Sequence, residues 1–380
     1  MQKYTIGITV GFGFEAVAQR ELRRLLGVEH APADNGMITF EGGQYEVAMC
    51  NMWLRTAERV WLVVGRQNHV ADFDALFDAV CDMPWEDYLP KDAKIHVHGK
   101  SAASVLYGVP ACQSITKKAI VVRMQRAYHV RELPESGTEY HITVRLFKDD
   151  LTLAIDTSGI GLHKRGYRDL VGEAAIKETM AAGLLLLSVW NKSKPLVDPF
   201  CGSGTIPIEA ALLARNVAPG LKRTHAFETW PNFDQAISRS VRESAQNAID
   251  NSTELRISGF DIDENAIKLC RRHAKAAGVE ADIHFQCMDM RDMKSRYPYG
   301  VIVTNPPYGE RLLDDKQVDI LMRDFYKVYA ALPDWSLYLI TAFPFLETSF
   351  GHKADKNRKL FNGKIQCRLY QYMGKKPPKE

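Results

Sequence analysis

Asn305-Pro306-Pro307-Tyr308 follows an apolar run, Val301-Ile302-Val303, and carries the groups needed to handle a planar amine. An amine conjugated to an aromatic ring is a poor nucleophile, because the ring shares its lone pair. The Asn305 side-chain oxygen and the Pro306 carbonyl can each accept one N–H of such an amine, which localises the lone pair toward an electrophile. Proline holds φ at about −65° and has no N–H to donate, so the Pro306 and Pro307 carbonyls are fixed and aimed. Tyr308 can stack on the ring that bears the amine. Asn-Pro is also a good turn starter, so a strand-terminating turn is the bland alternative.

About a hundred residues upstream, Leu196-Val197-Asp198 reads as a short strand. The glycine-rich turn Pro199-Phe200-Cys201-Gly202-Ser203-Gly204-Thr205 follows, and Ile206 to Ala214 reads as a helix. Strand, glycine turn and helix make a cradle for a nucleotide-type ligand, though the spacing is neither the dinucleotide fingerprint nor a P-loop. Asp198 can hold an ammonium group. Gly202 and Gly204 permit close backbone approach, and the N–H groups at the helix start suit a carboxylate. Ammonium plus carboxylate describes an amino-acid moiety such as the methionine end of S-adenosylmethionine. Ile257 to Asp263 reads as a second strand ending in acids, one of which can hold ribose hydroxyls, while Asp263 is placed to cap a helix over Glu264 to Ala277 that stops at Gly278. Ile283 to Asp289 reads as a third strand, with Asp289 able to accept from an adenine amino group. Ligands of open parallel sheets bind at the carboxyl ends of the strands, where Asp198, Asp261, Asp289 and Asn305 all fall.

On these motifs the chain resembles the class I S-adenosylmethionine-dependent methyltransferases that modify exocyclic amines. Leu162 to Arg168, Ala175 to Ala181 and Asp198 to Ala211 narrow the resemblance to the THUMP-containing bacterial RNA guanine-N2 methyltransferases of large-subunit ribosomal RNA. Ala218-Pro219-Gly220 and Phe227-Glu228-Thr229-Trp230 are similar to an insertion of that family. Arg55-Thr56-Ala57-Glu58-Arg59-Val60, His98 to Ser101, Leu106-Tyr107 and Cys112 to Ala119 extend the likeness over nearly the whole chain. The resemblance implies S-adenosylmethionine as cofactor, S-adenosylhomocysteine as product, no metal, an RNA partner in naked or precursor-particle form, and formation of N2-methylguanosine. It also implies that Phe200, Thr205, Ile262 and Met290 line the cofactor site and that Lys177, Glu178 and Thr179 close its far side. Some family members carry a second methyltransferase behind the first; this chain ends where that would start, which resembles the single-activity form. Transfer RNA is the alternative substrate, because related THUMP enzymes methylate a guanosine in its acceptor stem. Adenine-N6, cytosine-N4 and glutamine methylation use the same tetrapeptide, and a non-catalytic assembly factor is a third class.

Net charge is only +3 over 380 residues, so charge alone argues for no nucleic acid. Its distribution says more. Lys100, Lys117, Lys118, Arg123, Arg126 and Arg131 fall in a segment without Asp or Glu, an electrostatic footprint for phosphates. Lys164, Arg165 and Arg168 form a second cluster, and Lys375, Lys376 and Lys379 a third in a Pro-containing tail. Seven cysteines without disulfide-like spacing fit a reduced, cytoplasmic setting, and Cys201 reads as a small residue packed in its turn rather than a nucleophile. No signal-like or membrane-length apolar run is present. The eleven histidines lack metal-ligand spacing, and His96 and His98 alternate on a strand as RNA-facing or solvated side chains.

The elements that position these residues divide into four stretches: an α+β, ferredoxin-like unit over 1–60, a THUMP RNA-binding domain over 61–157, a linker and leading helix over 158–190, and a methyltransferase domain over 191–380. The first opens with a strand over Tyr4 to Val10, then an amphipathic helix over Phe14 to Leu26 and a strand at Met37 to Phe40. The second has helices near Phe73 to Val80 and Ser114 to Tyr128, with strands at Lys94 to His98, Tyr140 to Phe147 and Leu151 to Asp156. A glycine-spaced linker (Gly159, Gly161, Gly166, Gly172) precedes a helix over Glu173 to Trp190. The last predicts an α/β, Rossmann-like, doubly wound sheet with an antiparallel edge strand. A helix over Val318 to Leu332, a strand over Leu337 to Thr341 and a hairpin with an Asn362-Gly363 turn complete it.

Overall fold

The computed structural model describes residues 3–34, 36–168, 176–308 and 314–376. Two seven-stranded sheets organise the described residues. The first is built from β1 (Tyr4–Val10), β2 (Ala33–Asp34), β3 (Met37–Gly42), β4 (Ala57–Gln67), β5 (Lys94–Ala102), β6 (Glu139–Phe147) and β7 (Asp150–Asp156), in the order β2-β3-β1-β4-β7-β6-β5. Helices α1 (Glu15–Leu26), α2 (Gln44–Trp53), α3 (Phe73–Cys81) and α4 (Val109–Ala127) accompany it. The division expected at 60/61 falls inside β4, which pairs with β1 on one side and β7 on the other. One continuous sheet therefore serves both amino-terminal units.

The second half contains α5 (Glu178–Leu187), β8 (Leu196–Asp198), α6 (Thr205–Ala214), α7 (Gln235–Asn247), β9 (Ile257–Asp261), α8 (Glu264–Ala277), β10 (Ile283–Cys287), β11 (Val301–Thr304), α9 (Asp315–Ala330), β12 (Ser336–Thr341), α10 (Leu346–Phe350), β13 (Lys356–Asn362) and β14 (Ile365–Tyr372). The sheet order is β10-β9-β8-β11-β12-β14-β13, with β10 through β12 parallel. The antiparallel element at that edge is a hairpin, with β14 against β12 and β13 outermost. Asn362 pairs with Ile365, so the two-residue loop is Gly363-Lys364 rather than the expected Asn362-Gly363. Glycine at the first loop position supplies the φ of 62° that this tight turn requires.

Two expectations about residues 158–190 change. Leu162, Arg165 and Tyr167 are buried, so residues 158–168 are packed structure rather than a loose tether. Within the described residues the following helix covers only Glu178–Leu187; Gly172, Glu173 and Ala175 lie outside them, as does Lys379 of the tail. The carboxyl end is cut short at Ser188, which is extended at φ −80°, ψ 169°. Its hydroxyl donates to the Leu185 carbonyl at 2.8 Å and accepts from the Trp190 N–H at 3.1 Å, a local alternative to continuing the helix.

The two halves share side chains across their junction. Phe14 and Val17, from β1–α1 and α1, belong to the core of the second half. In return Ala218, Phe227, Trp230, Phe233, Val241 and Ala245, carried by the 215–250 insertion, belong to the core of the first. Gly183 makes room for Phe14: a Cβ there would sit 2.3 Å from its ring. Gly220 lies on the α2 backbone, donating to the Met52 carbonyl at 2.9 Å, and a Cβ would come within 2.7 Å of the Asn51 oxygen. Trp230 stacks on Tyr140 of β6 with centroids 4.7 Å apart.

Buried charge completes the junction. Glu209 on α6, fully buried, accepts from Arg165 Nε at 2.9 Å and Tyr167 Oη at 3.0 Å. Arg165 Nη2 donates to the Arg55 carbonyl at 2.7 Å, and Arg55 Nη2 reaches the Val217 carbonyl at 2.8 Å. Glu21 of α1 takes the Arg55 N–H at 2.8 Å and the Thr56 hydroxyl.

Candidate active site

The carboxyl ends of β8, β9 and β11, with the turn after β10, meet at one cavity of about 1170 Å³. Asp198, Phe200, Gly202, Thr205, Asp261, Ile262, Asp289, Met290 and Asn305 to Tyr308 all line it. The chain converges there because four strands of a parallel sheet present their ends to the same edge.

Asp198 is 1% exposed. Burial raises its carboxyl to about 7, against the opposing hydrogen bonds from Thr304 Oγ1 at 2.7 Å and the Phe200 N–H at 3.2 Å. A carboxyl poised this way has no cation of its own among its recorded partners, and an ammonium group would complete it. Gly202 and Gly204 both adopt the left-handed conformation, at φ 51° and 79°. A Cβ on Gly202 would meet no protein atom within 4 Å, so its backbone is open to a guest. Gly204 sits under α6 as its N-cap without a side-chain cap, leaving first-turn N–H groups for a ligand. Asp261 accepts from the Gly202 N–H at 3.0 Å and the Asp263 N–H at 3.0 Å, which ties the glycine turn to β9. Asp263 caps α8 through the Asn265 N–H at 2.9 Å, as its sequence position predicts. Ile262 is 72% exposed, an apolar surface facing the cavity with no protein cover.

β10 ends at Cys287, two residues short of the predicted strand. Asp289 instead caps a short turn, accepting from the Arg291 N–H at 2.9 Å, and pairs with the Arg291 guanidinium at 2.9 Å. Asn305 lies just past β11, and no described residue hydrogen-bonds its side-chain amide. Tyr308 is positioned from the hairpin: its hydroxyl is 3.4 Å from Asn362 Nδ2 and 3.6 Å from Cys367 Sγ. Burial, first, raises its phenol, so the ring is neutral and available for stacking. Cys201 is buried with its Sγ 3.7 Å from that of Cys270; that neighbour and burial push the thiol well up, as fits a packing role. An apolar ledge, first-turn N–H groups and a buried carboxyl fit an amino-acid-bearing nucleoside.

Other expected site residues lie elsewhere. Lys177 Nζ and Thr179 Oγ1 donate to Glu58 at 3.2 Å and 2.7 Å. Burial would raise Glu58, but hydrogen bonds from His163 and Thr179 and the Lys177 charge carry it down to about 2. Glu178 is buried against Arg168 at 3.4 Å. Among residues 176–179 only Ile176 lines the cavity, while Gly204 lies beneath it, packed toward Cys270 and Phe285.

The expected RNA cations also separate. Arg165 is buried on Glu209, and Arg168 donates to the Ile176 carbonyl at 2.9 Å beside Glu178, so neither presents a free head group to solvent. Arg123 forms a two-pronged pair with Glu86, Lys117 pairs with Glu135 at 3.1 Å, and Arg126 Nη1 lies 3.7 Å from Cys81 Sγ. The acid-free segment met its acids from outside the segment. Lys100, Lys118 and Lys164 remain exposed, with Lys118 over the Phe77 ring. His96 and His98 each stack on His141, and His98 Nε2 lies 3.0 Å from His141 Nδ1.

The 215–250 insertion carries residues that sequence reasoning missed. Lys222, Arg223, Arg239 and Arg242 line a second cavity, of about 1180 Å³, with Lys164, Arg165 and Arg168. The helix that carries Arg239 and Arg242, α7, is signalled by Asp234 as its cap and by Ile237, Val241 and Ala245 four residues apart.

Comparison with known proteins gives three domain matches: an RlmL ferredoxin-like domain over 5–61, a THUMP domain over 70–156 and an RMKL-like methyltransferase domain over 165–371. The chain is 40% identical over 380 residues to the putative RNA methyltransferase YpsC of Bacillus subtilis and covers 98% of it. It is 33% identical over 369 residues to the ribosomal RNA large subunit methyltransferase K/L of Psychromonas ingrahamii, spanning 49% of that protein and 95% of itself. Among solved structures, SMU.472, a putative methyltransferase complexed with SAH, superposes with a TM-score of 0.94 at 43% identity, covering 100% of both chains. A predicted N6-adenine-specific DNA methylase from Listeria monocytogenes gives 0.92 at 44%, covering 99% of this chain and 97% of that one.

Proposed function

The chain belongs to the RMKL-like methyltransferase family and is an S-adenosylmethionine-dependent RNA methyltransferase, and we propose that it methylates the exocyclic N2 amine of a guanosine in large-subunit ribosomal RNA. The observation that carries the reading is the meeting of Asn305 to Tyr308 with Asp198, Gly202, Asp261 and Asp289 at one cavity, in a chain with a THUMP domain.

The cofactor, when bound, supplies a methyl group on a cationic sulfonium. Asp198 holds its ammonium group, the α6 first turn its carboxylate, Asp261 its ribose hydroxyls and Asp289 its adenine amine, with Ile262 and Met290 against the adenine. Asn305 Oδ1 and the Pro306 carbonyl each accept one N–H of the guanine amine and turn its lone pair toward the methyl carbon. Pro307 fixes the turn and Tyr308 stacks on the base. Acceleration comes from holding the amine in line with the methyl and its leaving sulfur, and the surplus proton leaves to water. A paired guanine must first be unstacked to enter such a cavity.

The test is deletion of the gene in its host, with nucleoside mass spectrometry of separated ribosomal and transfer RNA. Loss of one N2-methylguanosine from large-subunit RNA, restored by wild type but not by Asn305→Ala, is the expected result. Loss confined to transfer RNA, or of N6-methyladenosine instead, overturns the substrate or the base.

A further inference from the structure

The second cavity carries positive charge that no described acid neutralises. Four of its cations are paired with acids: Arg165 with Glu209, Arg168 with Glu178, Arg242 with Glu228 at 2.7 Å and Lys177 with Glu58 at 3.2 Å. Lys164, Lys222, Arg223 and Arg239 also line it, and none forms an ion pair with a described carboxylate. Arg223 donates only to main-chain oxygens, among them Gly161 at 2.9 Å and Lys164 at 3.2 Å. Its Nε is buried without a partner, as are Nε and Nη2 of Arg168. Burial, then the charges of Arg165 and Arg59, lowers Arg223 to about 10, so the guanidinium is charged but crowded by its own kind. Lys222 Nζ donates to the Ala276 and Ala277 carbonyls at 2.8 Å and 3.0 Å, where the end of α8 offers only partial negative charge.

This cleft shares a wall with the catalytic cavity. Ile176 faces the catalytic side, whereas Lys177 and Glu178 face the basic side. A strand whose base enters one cavity leaves its flanking phosphates at the next.

We propose that the cleft between residues 160–168 and the 221–242 segment binds backbone phosphates of the RNA strand flanking the target nucleotide, with Lys164, Arg223 and Arg239 as the phosphate contacts. The proposal rests on the RNA substrate above and deepens it by giving the strand a path.

The side chains of Lys164 and Arg239 are exposed and carry no described hydrogen bond or ion pair, and the main-chain bonds of Lys164 do not depend on its side chain, so K164Q/R239Q leaves the fold and the catalytic cavity intact. Binding of a fluorescein-labelled single-stranded RNA of mixed sequence is measured against salt concentration, with SAH binding by calorimetry in parallel. Each single-strand phosphate neutralised contributes roughly 0.7 to the log–log salt slope. The double variant is expected to lose roughly one to one and a half from that slope and about tenfold or more in affinity, with SAH affinity unchanged. K268Q/K275Q, which removes equal charge from the outer face of α8, should keep the wild-type slope. A slope unchanged in K164Q/R239Q, or reduced equally by the α8 control, overturns the cleft while the methyltransferase reading stands. RNA binding absent already in the wild type overturns the substrate reading with it.

Discussion

Two cavities of nearly equal volume flank the 176–178 segment, and their charge accounts are opposite. In the catalytic cavity an acid is left over among the described residues: Asp198 is buried with no described cation, and no described residue hydrogen-bonds the Asn305 amide. In the basic cleft the acids are all engaged and cations are left over. Whatever charge a protein wall leaves unbalanced describes the guest it was shaped for: ammonium and amine donors in the first case, phosphates in the second. Volume alone would not distinguish them.

The contrast can be broken most forcefully at Glu209, which holds the basic wall together. Glu209→Gln leaves Arg165 buried without its counter-charge, and urea unfolding is expected to show a loss of about 3–5 kcal/mol. A loss below about 1 kcal/mol would mean that the pair is not holding that wall. Next comes Asn305→Ala, expected to lower single-turnover methyl transfer by about 100- to 1000-fold, the scale of removing one transition-state hydrogen-bonding group. SAH and RNA affinity should stay within about twofold of wild type, since the lost contact acts on the reacting amine.

A smaller effect separates the two cavities by pH. Asp198 is raised from the ordinary carboxyl value to about 7 by burial, so its carboxyl is protonated below that pH. A guest with an ammonium group needs the carboxylate. SAH affinity in calorimetry is therefore expected to fall as pH drops through about 7, by about tenfold per unit, and Asp198→Asn should flatten the profile at weak affinity. The stability linkage runs the other way: a raised carboxyl stabilises the ligand-free fold at low pH and loses that contribution as pH rises toward about 7. The smallest expected change is at Lys117. Glu135 already neutralises it at a part-exposed site, so Lys117→Gln should move stability by no more than about 1 kcal/mol and leave the RNA salt slope near wild type.

Local chemistry was readable before the structure, and distant pairing was not. The turn at Gly202 and Gly204, the cap at Asp263, the stop at Gly278 and the tetrapeptide at Asn305 each depend on residues within a few positions, and each stands where the spacing put it. From sequence, Arg165, Arg168, Lys177 and Thr179 look exposed or ligand-facing because nothing nearby along the chain answers them. Their partners do: Glu209 is 44 residues from Arg165, and Glu58 is 121 from Thr179. The linker expectation failed for the same reason. Glycine spacing reports chain freedom, but it does not report Leu162 and Tyr167 turned into a core supplied by other elements.

The reciprocal loan of side chains has a consequence for how the molecule behaves as a whole. Phe14 and Val17 complete one core while Phe227, Trp230 and Val241 complete the other. Neither half can shed its neighbour without opening its own interior, so the two should melt in a single calorimetric transition. A catalytic domain excised and grafted to a different RNA-binding module would arrive with bare aromatic surface at Phe227, Trp230 and Phe233.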